Sequence, residues 1–137
     1  MTDEPSALLV DQRIRNRIID YLEWVSSFDE QLKYQAAVPL VSVPGEAFNQ
    51  WEDWVHRDPR QYDDHSIVFT SDEVDALRAF HTAWDLAAAQ TPNPLPPLAE
   101  CQRLPPWHDL RDAAESALAV FEIRGRLSDD EVDPSLP

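Results

Sequence analysis

The chain has 137 residues, 26 acids against 11 bases, a formal net charge of −15 at pH 7, 12 prolines, 2 glycines and one cysteine. That length fits one domain able to bury about two thirds of the surface its unfolded chain exposes, and the charge opposes binding to nucleic acid phosphates and anionic membranes. The composition leaves no P-loop or GxGxxG cradle, no intrachain disulfide and no apolar run of membrane-spanning length, so a cytoplasmic protein is expected.

Residues 1–10 read as a lead-in to a helix over 11–34, where Ile14, Ile18, Tyr21, Val25, Phe28 and Leu32 recur at steps of three and four and share one face. Arg13, Arg15 and Arg17 make its first turns basic, against the helix dipole, and Asp20 is the local acid placed to offset them. The apolar stretch 36–44, with two prolines, reads as an extended crossing. A second helix is expected from Pro44 to about Arg57, with Ala47, Phe48, Trp51, Trp54 and Val55 as its stripe, followed by a polar loop over 58–66.

The third helix carries the clearest start signal. Thr70 and Glu73 form a capping box, Phe69 and Val74 a hydrophobic staple, and Val74, Leu77, Phe80 and Trp84 continue the stripe until Pro92. The proline-rich segment 91–107 is too stiff for a flexible tether and can turn Leu98, Cys101 and Leu104 inward. A last helix over 106–124 points Trp107, Leu110, Ala114, Ala117, Leu118 and Phe121 inward and stops at Gly125.

The expected architecture is therefore all-α: an irregular four-helix bundle with a proline-rich crossover between the third and fourth helices. It forms a single domain over 1–127, with an acidic disordered tail over 128–137. Ile18, Leu22, Val25, Phe28, Trp51, Leu77, Phe80, Trp84, Leu118 and Phe121 are its expected core. A monomer is favoured, although four apolar stripes could also be satisfied in a dimer.

Catalytic motifs fail on spacing. Bundle metal sites need Glu-x-x-His from two helices, whereas His56, His81 and His108 each face a single acid four residues away and HExxH is missing. Cys101, between Leu98 and Leu104, reads as a small apolar residue, nothing places His108 beside it, and no serine lies in a GxSxG elbow. Adjacent acids such as Glu52 and Asp53 are a surface pattern, not a pair held across a cleft. No bound metal or cofactor is expected.

A binding face is better supported. Between Glu46 and Glu73, the acids Glu52, Asp53, Asp58, Asp63 and Asp64 are interleaved with Trp51, Trp54 and Tyr62. Acids steer a basic partner and aromatics supply contact area. Trp51, centred in its stripe, is expected in the core and Trp54 at its edge, so the partner-binding set is Glu52, Asp53, Trp54, Asp58, Tyr62, Asp63 and Asp64.

The class these features suit is a small acidic module that neutralises or holds a basic protein, such as a toxin domain, with a bacterial toxin-immunity protein as its sharpest form. The alternatives are a metal-dependent enzyme of helical-bundle type and an acidic DNA-mimic inhibitor. A mimic would favour long regular rows of acids, and the even scatter here shows none.

Overall fold

The computed structural model describes residues 6–55 and 68–134. Among them are six helices and no strand: α1 (Ala7–Val25), α2 (Phe28–Ala37), α3 (Val43–Trp54), α4 (Ser71–Gln90), α5 (Leu98–Cys101) and α6 (Pro105–Glu122). The all-α class stands, but the helix expected over 11–34 is two helices. Ser26 closes α1 and Ser27 opens α2, its Oγ accepting the Glu30 N–H at 3.1 Å. The first stripe consequently fails beyond Val25, and Leu32 is 43% exposed. No described helix is long and apolar enough to cross a membrane.

Other helix ends follow local chemistry. Ser6 and Ser42 cap α1 and α3, and both halves of the capping box form at Thr70 and Glu73. Beyond α6, the Gly125 N–H donates to Phe121 O at 2.9 Å with φ at +72°, a backbone conformation that favours glycine. At the end of α4, Thr91 Oγ1 donates to Ala87 O (2.6 Å) and accepts from Trp107 Nε1 (2.9 Å). That hydroxyl anchors the first turn of α6 to the start of the crossover.

α4 and α6 pack closely, and α1 lies against α6 and α3. Ile18, Leu22, Val25, Trp51, Leu77, Phe80, Trp84 and Phe121 share the main core. Trp51 and Phe80 meet edge-on at 4.5 Å. Leu118 is only partly buried against this cluster, and Phe28 joins the rim of a smaller one made of Val43, Ala47, Leu98, Cys101 and Trp107. Trp51 Nε1 donates to His81 Nδ1 at 3.0 Å, so the largest core side chain is also hydrogen-bonded.

Arg15 and Glu73 are buried together. Arg15 Nε and one terminal nitrogen donate to the two oxygens of Glu73 at 3.2 and 2.8 Å, and its other terminal nitrogen donates to Gly125 O at 2.6 Å. Arg124 grips the same carboxylate at 3.1 and 2.5 Å and also donates to Val68 O. Asp20 offsets Arg17 as expected, at 3.2 Å, but the anion that offsets Arg15 is Glu73, a capping residue of α4, which Arg124 shares.

Burial alone would raise the Glu73 pKa, but the hydrogen bonds from Arg15 and Arg124 outweigh it and hold the carboxyl below its ordinary range. A lowered native value means that this stabilisation is complete above the unfolded value of about 4.3 and is lost as pH falls through the native one. Urea midpoints measured downward from pH 5 should fall in the wild type. Glu73→Gln, already destabilised, should show a shallower acid limb.

Residues 127–133, which composition assigns largely to an acidic tail, are hydrogen-bonded to α1. Gln12 Nε2 donates to Ser128 O and Glu131 O, and its Oε1 accepts from Asp133 N. Asn16 donates to Leu127 O and accepts from Leu127 N. Both amides are buried, and they satisfy a strand-like edge of backbone that would otherwise need water.

Candidate functional site

The expected binding face divides. Trp51 is core, 1% exposed. Glu52 and Asp53 are exposed on α3, and Trp54, its last residue, is half-buried. At 100° per residue, Asp53 projects on the flank shared by Gln50 and Trp54, whereas Glu52 projects from the opposite flank. Asp58, Tyr62, Asp63 and Asp64 lie outside the described residues, as do His56 and His65.

Trp54 borders a cleft of about 230 Å³ between α1, α2 and α3, with Tyr21, Trp24, Tyr34, Gln50, Arg17 and Asp20 as its other walls. Trp24 and Tyr34 meet edge-on at 5.6 Å, and Tyr21 lies 6.4 Å from Trp24. The Ser26–Ser27 break builds this wall. On one continuous helix, residues 24 and 34 would stand about 15 Å apart along the axis; folding α2 back brings their rings together.

Tyr21 is the fixed part of the cleft. Its hydroxyl donates to Ala47 O at 2.6 Å, and burial pushes the phenol above its ordinary range, so it stays neutral. Asp20 is the carboxylate on the cleft wall, next to Arg17, and Glu23 lies close by in the adjoining depression. Asp20 and Glu23 both accept from Arg126, at 2.6 and 2.9 Å, and Asp20 also pairs with Arg17 at 3.2 Å. Glu30 borders an adjoining depression with Asp20, Glu23 and Trp24. Its partner Lys33 is exposed, as is Glu30 itself, so that pair holds it weakly.

The side chains considered for catalysis are otherwise engaged. Cys101 is buried, donates to Pro96 O at 3.5 Å, and is pushed up to about 11 by burial and by the charge of Glu100, so it is no thiolate at neutral pH. His108 Nε2 donates to Gln102 O at 2.7 Å, and its ring lies 5.8 Å from Phe28. His81 accepts from Trp51. Among the described residues, no three His, Cys, Asp or Glu side chains gather as metal ligands would.

Sequence reasoning found Trp54 and missed Trp24 and Tyr34. Ser27 and Glu30 stand three apart like Thr70 and Glu73, which was signal enough for a helix start there. No family model matches the chain, and no curated protein or solved structure matches it, so its own residues must carry the functional argument.

Proposed function

We propose that the protein binds and neutralises a basic protein, in the manner of a toxin-immunity protein, through the cleft between α1, α2 and α3. The observation that carries this reading is the meeting of Trp24, Tyr34 and Trp54 around one opening that Asp20 lines, with Glu23 and Glu30 in the depression that adjoins it at Asp20 and Trp24. Aromatic faces attract a lysine or arginine side chain, and the effect grows as partner and cleft desolvate each other. The charge of −15 raises the encounter rate with a cationic surface and weakens that advantage in salt. Asp53 lies beside Trp54, and Asp58, Asp63 and Asp64 extend the acidic sequence beyond it, with Tyr62 among them.

The test separates steering from anchoring, using the partner recovered by pull-down. Charge reversal by Glu30→Lys and Asp53→Lys should slow association about tenfold at low salt and flatten its salt dependence. Glu52→Lys, on the other flank, should slow it less. Trp54→Ala should leave association near wild type and shorten the lifetime of the complex about 30-fold, the effect of losing roughly 2 kcal/mol at a central anchor. Equal slowing by Glu115→Lys and Glu122→Lys on α6 would reduce the effect to net charge and remove the cleft as the site.

A further inference from the structure

A second groove lies away from the aromatic cleft, between the end of α2, the turn before α3 and the proline segment before α5. It encloses about 710 Å³ and is lined by Leu32, Pro39, Leu40, Val41, Leu95 and Pro96 with seven neighbours, none of them charged. At the average charged fraction, thirteen residues would hold about three charges. A charge-free apolar surface of this kind marks a contact site more often than a solvated face.

The groove is preformed. Gln35 Nε2 donates to Val38 O and Val41 O, its Oε1 accepts from Val43 N, and Val41 N donates to Val38 O. Those bonds hold the turn that carries Leu40, whose side chain is 100% exposed at its tip. On the other wall, Leu95 packs over Gly45, where an added Cβ would lie 3.7 Å from Leu95 Cδ1 and 3.3 Å from Ser42 Oγ. Ser42 Oγ is itself occupied in capping α3.

The two polar side chains of the groove thus already serve the backbone, and no directional group is left to orient a polar ligand. A basic partner finds no carboxylate among the lining residues. A second copy of this chain fits both constraints. Two chains of charge −15 repel each other over most of their surfaces, so close approach needs a face without carboxylates. The face also carries its own knob and hole, with Leu40 projecting beside the apolar trough, as a two-fold contact requires.

We infer that the protein forms a two-fold homodimer through this groove, with Leu40 of each copy seated between the proline segments of the other. This replaces the monomer expected from sequence and does not depend on the cleft's role. Its salt dependence is opposite in sign to that of binding a basic protein, because salt screens the repulsion between the two copies.

Sedimentation velocity from about 1 to 100 μM, the range in which a micromolar dimer titrates, should show mass doubling with concentration, and a larger dimer fraction at 0.5 M than at 0.05 M salt. Leu40→Glu, at a fully exposed position, should be monomeric throughout with an unchanged thermal melt. Ile123→Glu, at the exposed apolar residue just beyond α6, should dimerise like wild type. A wild type monomeric across the whole range would overturn the inference, as would a dimer that survives Leu40→Glu, one abolished by Ile123→Glu, or one weakened by salt.

Discussion

Glu73→Ala should destabilise the protein by about 3–5 kcal/mol, the usual cost of stranding a buried charge, and lower its melting temperature by about 10–20 °C. Arg124, one quarter exposed, can turn its guanidinium to water, but Arg15 is fully buried and cannot. The substitution also removes the acceptor of the Thr70 N–H at the start of α4. Replacing both members of the buried pair, by Arg15→Met with Glu73→Leu, should recover most of the loss, since apolar groups of similar volume satisfy such a site without ions. Urea unfolding of the wild type and these two variants decides the matter. A loss within about 0.5 kcal/mol for Glu73→Ala, typical of a surface change, would show that Arg15 finds another partner.

Phe80→Ala should cost about 3–5 kcal/mol, a large part of the total stability of a domain this size. Phe80 is fully buried, with Trp51 at 4.5 Å and Tyr21 at 5.9 Å between ring centres, so its removal leaves a hole bounded by stiff aromatic walls. Trp84→Ala should cost nearly as much, but Trp84→Phe much less. The Trp84 indole N–H is buried without an acceptor among the described residues, and phenylalanine removes that donor while keeping the ring. Leu118→Ala, at a partly buried position, serves as the mild comparison. Chemical denaturation should rank the four in that order, and a Phe80→Ala loss no larger than that of Leu118→Ala would sink the core assignment.

Periodicity made the core helices legible, and capping chemistry made their ends legible where a signal stood next to a stripe, as at Thr70 and Glu73. The same chemistry at Ser27 was masked by apolar residues that continued the α1 spacing into Phe28 and Leu32. Buried polar side chains were the harder class. Gln12, Asn16, Gln31 and Arg15 are buried, but periodicity scores only apolar residues and so marks none of them as core, and the partners of Arg15 and Asn16 lie far along the chain. Arg15 meets a carboxylate 58 residues on, and Asn16 a backbone group 111 residues on. Of the cleft's aromatic walls, Trp54 was legible as a stripe-edge residue; Trp24 and Tyr34 were not, because their meeting depends on the turn between α1 and α2.

The Arg15 knot also sets when α1 can settle during synthesis. α1 is made first, carrying an arginine whose carboxylate is 58 residues away and whose carbonyl acceptor at Gly125 is 110 residues away. Until that segment is made, the nascent chain holds an amphipathic helix whose Arg15 has no complete seat for its charge, and its apolar face lacks the α6 surface that covers it. Contacts of such long span form late and together. α1 is therefore secured only once the segment around Gly125 has been made, and a holdase would protect this chain through that interval.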